Sequence, residues 1–136
     1  MLNPSHEVAI VAIVVSYHPQ ADSLRTLVEQ LLVQTAHVIV VDNGGHCDSQ
    51  QLPTSAYITL LSRPCNEGVA SALNIGIRYV QQHYPQALAV LTMDQDSLPA
   101  KDMVSQLWLH YKRSCQQGLR VGALGPQQID SRSQRR

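Results

Sequence analysis

The stretch Val8-Ala9-Ile10-Val11-Ala12-Ile13-Val14-Val15-Ser16 decides how this chain folds. It is a continuous apolar run rich in β-branched residues, with no polar alternation, and so reads as a strand buried on both faces, as in a parallel sheet. It ends at Tyr17-His18-Pro19, where proline closes the strand. Immediately downstream, Leu24, Leu27, Val28, Leu31 and Leu32 recur at i, i+3, i+4, i+7 and i+8. That spacing is an amphipathic helix with one apolar face.

The same alternation repeats along the chain. His37-Val38-Ile39-Val40-Val41-Asp42 is a second buried strand, broken by Asn43-Gly44-Gly45, whose glycines take φ > 0 at no steric cost. A polar stretch from His46 to Ser55, interrupted by Pro53, reads as a loop, and Tyr57-Ile58-Thr59-Leu60-Leu61 as a third, shorter strand. After an irregular passage through Pro64, Asn66-Glu67-Gly68 opens a helix with Asn66 as N-cap and Glu67 complementing the positive end of the dipole. Its apolar face runs Val69, Leu73, Ile77 and Val80, and Gly76 marks a close approach to the sheet.

Leu88-Ala89-Val90-Leu91-Thr92-Met93 is a fourth strand that stops on Asp94-Gln95-Asp96-Ser97. Met103, Val104, Leu107, Trp108 and Tyr111 describe another one-sided helix, and Val121-Gly122-Ala123-Leu124-Gly125 a fifth strand ended by Pro126. Strands alternating with helices argue for an α/β fold, a mostly parallel sheet flanked by helices on both sides. The core is expected within residues 8–126, with 127–136 a solvated, flexible tail.

Composition narrows the function classes. A chain of 136 residues suffices for one core-forming domain. Hydrophobic residues are 44% and charged residues 15%, Phe is absent, and the formal net charge is zero with Lys and Arg scattered except at the end. No nucleic-acid surface is indicated. Cys47, Cys65 and Cys115 are an odd count without C-x-x-C spacing, and His46 beside Cys47 has no second ligand pair, so they read as unligated thiols. The apolar run Val8–Val15 falls short of the roughly 20 residues of a membrane span. A cytoplasmic, reducing setting is expected, with membrane contact at most peripheral through the terminal arginines.

In open α/β sheets ligands bind at the carboxyl ends of the strands. Those ends carry Ser16-Tyr17, Asp42-Asn43-Gly44 and Asp94-Gln95-Asp96. Extended geometry would send Asp94 and Asp96 to one side and Gln95 to the other. Two hard carboxylates there suit Mg²⁺ or Mn²⁺. The same residues also suit a helix cap, because Asp96 or Ser97 precedes the periodic segment beginning near Pro99.

Taken in order, Val14-Val15-Ser16-Tyr17-His18-Pro19, Val40-Val41-Asp42-Asn43-Gly44, Asn66 to Gly76, and Met93-Asp94-Gln95-Asp96-Ser97 resemble family 2 glycosyltransferases of the GT-A fold, nearest the rhamnosyltransferase-like branch. The resemblance covers residues 8–126. It implies a Rossmann-like nucleotide-diphospho-sugar-binding domain and transfer of a sugar, with inversion, from a nucleotide-diphosphate donor to an acceptor hydroxyl. The favoured donor is dTDP-rhamnose, and the acceptor a saccharide or lipid-linked saccharide in cell-surface polysaccharide synthesis.

By the same resemblance Ser16, Tyr17 and Asp42 line the nucleoside pocket, and Asn66 opens a helix near the nucleotide. Asp96 coordinates the metal, and Asp94 binds ribose or a metal-bound water. Asp42 can accept from a pyrimidine N–H or merely hold the Asn43-Gly44 turn. Many relatives carry Arg before the Asn of the helix, where this chain has Leu73 before Asn74. No general base is identifiable here; in the family it comes from the second half of the domain. The chain is therefore expected to be the donor-binding half of a larger enzyme. Two rivals are a haloacid-dehalogenase-type phosphatase using Asp94 as nucleophile and a non-catalytic nucleotide-binding or interaction fragment.

Overall fold

In a computed structural model, which describes residues 1–6 and 8–126, the chain runs β1 (Ile10–Ser16), α1 (Ala21–Gln34), β2 (His37–Asn43), a 3₁₀ turn (Ser49–Gln51), β3 (Ile58–Arg63), α2 (Val69–His83), β4 (Ala89–Asp94) and α3 (Met103–Gln116). It divides into two compact units, Met1–Lys101 and a second beginning at Asp102. In the first, the four strands form one parallel sheet in the order β3-β2-β1-β4. The second contains α3, in which Met103 and Val104 are buried and the rings of Trp108 and Tyr111 stack at 5.1 Å. The tail expected at 127–136 lies outside the described residues.

The period of two in an extended chain builds two cores. Ala12 and Val14 of β1 and Val38 and Val40 of β2 pack with Leu24, Leu27, Val28 and Leu31 of α1. Their sequence neighbours Val11, Ile13, Ile39 and Val41 face the other way and pack with Ala72 and Val80 of α2 and with Tyr84. Both faces of β1 and β2 are thus covered, which is why those strands show no polar alternation. The outer strands β3 and β4 are only partly buried.

Gly76 is where α2 presses on the sheet: a Cβ there would stand 2.7 Å from Ile13 Cγ2. At the amino end of β2 the buried His37 anchors three segments. Its Nδ1 lies 3.1 Å from the Met1 carbonyl oxygen, and its Nε2 lies 2.9 Å from Thr59 Oγ1 and 3.1 Å from the Tyr84 hydroxyl. A carbonyl can only accept, so Nδ1 carries the proton and the one lone pair of Nε2 faces the hydroxyls as acceptor. Burial, the largest influence, lowers the His37 pKa.

Three expectations are corrected. Residues 121–125 form no strand but an irregular, largely exposed segment. Gly122 and Gly125 weaken extended structure, and Pro126 removes a ladder donor, so apolar content alone overstated the case. The α2 N-cap is Gly68 rather than Asn66. Gly68 takes φ +88°, where a side chain would be strained although the space around it is open. Finally, α3 starts at Met103 after Asp102, so Asp96 and Ser97 cap no helix; Ser97 N instead donates to Asp94 O at 3.1 Å in a turn. Among the described residues, no helix is long and apolar enough to cross a membrane.

Candidate functional site

The carboxyl ends of the strands divide by residue parity. Ser16, Asp42 and Ser62 form one row across the sheet, since Ser16 pairs with Asp42 and Asp42 with Ser62. They continue the α1-facing set Ala12, Val14, Val38 and Val40. Ser16 and Asp42 are both 0% exposed. The Asp42 carboxylate accepts through Oδ1 from His46 N at 3.1 Å, and through Oδ2 from Cys47 N at 3.0 Å and Ser62 Oγ at 3.2 Å. A buried charge is tolerable because these donors replace its water. The structure thus shows Asp42 fastening the loop after β2. Ser16 Oγ is buried without a hydrogen-bond partner.

Cys47, in the same loop, is buried in the α1-side core. Burial, followed by the charges of Asp42 and Asp48, pushes its thiol up to about 11, so it stays protonated at neutral pH.

The alternate residues open onto the other side. Val15, Tyr17, Asn43, Asn66, Gly68, Val69, Asp94, Gln95 and Asp96 line a cleft of about 370 Å³. Tyr17, Asn66, Asp94 and Asp96 are therefore brought together as the sequence suggested, whereas Ser16 and Asp42 lie under the opposite face. Asp96 also borders a smaller hollow of about 240 Å³ with Asp22, Ser23 and Thr26 of α1.

Side-chain amides hold this cleft in shape. Asn43 donates through Nδ2 to Asn66 Oδ1 at 2.9 Å, and its Oδ1 accepts from Glu67 N at 3.0 Å. Asn66 Oδ1 also accepts from Gly68 N at 2.9 Å. Glu67 is bound by Arg63 at 2.9 Å and by Ser71 at 3.0 Å; the hydrogen bond from Arg63 is the larger cause of its lowered pKa. Gln95 does not face away as strand alternation implied. Its Oε1 accepts from Tyr17 N at 2.8 Å and its Nε2 donates to Tyr17 O at 3.0 Å, tying β1 to β4. The strand ends at Asp94, and the turn that follows, not alternation, carries Asp96 into the cleft.

Beside Tyr17 stand two further rings. His18 and His46 have centroids 3.6 Å apart, and each lies edge-on to Tyr17, at 4.3 Å and 5.7 Å. His18 has φ +46°, an uncommon value for a residue with a side chain, so the β1–α1 connection holds it where the rings meet.

The two carboxylates of the cleft are exposed, and the first turn of α2 beside them has no side-chain cap. The cleft therefore combines hard anionic oxygens with unsatisfied backbone N–H groups. Carboxylates alone repel a phosphate, but a divalent cation between them reconciles the two. Among the described residues no three His, Cys, Asp or Glu side chains converge. A cation held by Asp94 and Asp96 would complete its shell with water or ligand oxygens, as Mg²⁺ does with one or two carboxylates and a phosphate. The donor set fits Mg²⁺ or Mn²⁺.

Asn43, Gln95, His18 and His46 were not singled out as site residues from sequence. Asn43 was available from parity, being one step from a buried Asp42. Gln95 and the two histidines act through loops, and no periodic pattern marks them.

Comparison with known proteins is consistent with this geometry. The family model "Glycosyl transferase family 2" matches residues 12–125. The chain is 33% identical over 99 residues to "dTDP-rhamnosyl transferase RfbF" of Shigella flexneri; the match covers 72% of this chain and 33% of the relative. The chain thus spans about one third of that relative's length. No solved structure matches. With the family's match running from β1 past α3 and through every residue of the cleft, this chain belongs to glycosyl transferase family 2.

Proposed function

We propose that this chain provides the donor site of a sugar transferase acting on a nucleotide-diphosphate sugar, with dTDP-rhamnose the favoured donor and a saccharide or lipid-linked saccharide hydroxyl the acceptor. The observation that carries the reading is the single cleft at the carboxyl end of the sheet shared by Tyr17, Asn43, Asn66, Asp94 and Asp96. The name of the Shigella relative supports the choice of donor. The first-strand end, with Tyr17 flanked by His18 and His46, takes the nucleoside. Asp42 serves from below by fastening the loop after β2. The diphosphate lies toward Asp94, Asp96 and the first turn of α2.

Asp96 would hold Mg²⁺ or Mn²⁺ directly, and Asp94 would bind ribose or a water on the cation. When bound, the cation supplies charge neutralisation for the departing diphosphate. Asn43 and Asn66 keep the start of α2 aimed at the cleft, and the paired hydrogen bonds of Gln95 keep Tyr17 against the β4 turn. Inversion requires a base on the acceptor hydroxyl. We assign it to a carboxylate outside the matched residues 12–125. Family membership favours transfer to an acceptor over a phosphatase route through Asp94.

Calorimetric titration with dTDP-rhamnose, dTDP, UDP and GDP, each with and without Mn²⁺ or Mg²⁺, tests this. The thymidine nucleotides should bind at least about tenfold more tightly with the cation, a difference of about 1.4 kcal/mol, and Asp96→Asn should remove that gain. Binding indifferent to both cation and Asp96→Asn would overturn the metal assignment, and absence of nucleotide binding the donor-site reading.

A further inference from the structure

Among the described residues, β3 is an edge of the sheet, with β2 on one side only. Val38 N donates to Tyr57 O, so the odd-numbered residues of β3 turn their main-chain groups toward β2. In a parallel ladder the intervening residues point the other way. The N–H and C=O groups of Ile58, Leu60 and Ser62 therefore face outward from the sheet. Edges of this kind are commonly blunted by Lys, Pro or a bulge. β3 reads Ile-Thr-Leu-Leu-Ser-Arg, with Pro64 only after its end, and pairs with β2 without a bulge.

A groove of about 460 Å³ runs beside this edge, lined by Leu60, Leu61, Ser62, Arg63, Ile75, Arg78, Tyr79 and Gln82. Leu60, Leu61 and Ile75 give it an apolar part, and the charged residues that line it are Arg63 and Arg78. Arg63 Nη2 reaches Glu67, while Arg63 Nε is buried without an acceptor. The ion pairs among the described residues are Arg25–Glu29 and Arg63–Glu67, so Arg78 is left without a carboxylate.

We propose that the β3 edge and its groove are a docking site for an extended acidic segment of a partner protein. The segment adds as a fifth strand, its main chain pairing with Ile58, Leu60 and Ser62. Alternate side chains enter the groove, an apolar one over Leu61 and Ile75 and a carboxylate at Arg78 and Arg63. Charge selects this occupant. A second copy of the chain would bring its own arginines to the same face, and the C-terminal run, with Arg132, Arg135 and Arg136 against one carboxylate, Asp130, has the wrong sign.

The test uses the full 136-residue chain and fluorescein-labelled hexapeptides whose first, third and fifth residues, on one face of a strand, are Val, Glu and Val with Thr between them, and a counterpart with Lys in place of Glu. Fluorescence anisotropy should show saturable binding of the acidic peptide and at least about tenfold weaker binding of the basic one. Arg78→Glu, at an exposed helix position, should weaken the acidic peptide by a similar factor with the circular dichroism unchanged. N-methylation of alternate peptide residues should abolish binding on one edge of the peptide and spare it on the other.

Equal affinity for both peptides, or an Arg78→Glu variant that binds as well as the parent, would overturn the proposal. So would indifference to N-methylation, which would mean charge attraction without strand addition. An Arg78-dependent dimer in sedimentation would replace the partner with a second copy, again against the proposal. None of these outcomes bears on nucleotide binding at the cleft.

Discussion

Asp42→Asn separates a carboxylate that holds a loop from one that serves only a ligand. Asp42 is fully buried and accepts three hydrogen bonds, two from the backbone of the loop and one from Ser62. Asparagine keeps the shape but replaces one acceptor oxygen with a donor. If the amide nitrogen takes the Oδ2 position, it confronts Cys47 N–H at 3.0 Å, and only the Ser62 hydroxyl can rotate to accept. If it takes the Oδ1 position, it confronts His46 N–H, which belongs to an exposed residue that water can reach. The second arrangement is the cheaper.

One displaced donor costs about 1–3 kcal/mol, and the remaining bonds weaken as a charged acceptor becomes neutral. Burying a neutral group offsets part of this. A net loss of about 2 kcal/mol is expected in urea denaturation. The same loop carries Cys47 into the core, so loosening it should make the thiol more reactive toward a disulfide reagent. The measurement needs a Cys65→Ser, Cys115→Ser background, since those two cysteines are exposed. A variant within about 0.5 kcal/mol of the parent, with Cys47 no more reactive, would refute the structural role.

Two further outcomes follow from the packing. Gly76→Ala should destabilise the chain by about 1–2 kcal/mol in urea denaturation: overpacking against the buried Ile13 costs about 1–3 kcal/mol, and the better helix propensity of alanine returns up to about 1. A neutral or stabilising result would mean that α2 does not press on β1 there. For His37, burial depresses the folded-state pKa, so the unfolded chain binds the proton more readily. Its contribution is complete above about pH 6.5 and is lost as the pH falls from there through the lowered folded value; stability curves of the parent and His37→Gln should therefore converge across that window on acidification, and parallel curves would refute it.

How much of this was legible in the sequence depended on burial. β1 and β2 are covered on both faces, and a run such as Val11 to Val15 admits little else in a chain of this length. The one-sided helix α1 was equally plain and the packing role of Gly76 was visible, but the buried residues of α2 are Ala72, Gly76 and Val80, while Val69, expected on the apolar face, is exposed. Val121 and Leu124 suggest a fifth strand, but Gly122 and Gly125 offer no side chain to pack and weaken extended structure there. The α2 start was misplaced by two residues because Asn66 looks like a cap; its side chain does receive Gly68 N, but the helix begins after the glycine. Gln95 and the His18–His46 pair were illegible in principle, since turns rather than periodic elements place them.

The candidate site was partly legible for a reason that the two strand ends make plain. Ser16 and Tyr17, or Asp42 and Asn43, are neighbours in sequence and look like joint contributors to one rim. A strand turns successive side chains to opposite faces, so each pair must divide. Asp42 falls on the α1 side, where a buried carboxylate survives only by collecting donors from its own loop and Ser62. Asn43 falls on the α2 side, where a neutral amide with both ends fixed can orient Asn66 and the first turn of α2 while still forming the wall of a cleft. A one-residue slip in the register of β2 would exchange the two and place a charge where the amide is needed. The order acid-then-amide at the end of β2 is thus a physical requirement: the charged residue secures the loop, and the uncharged one shapes the cleft that Asp94 and Asp96 complete.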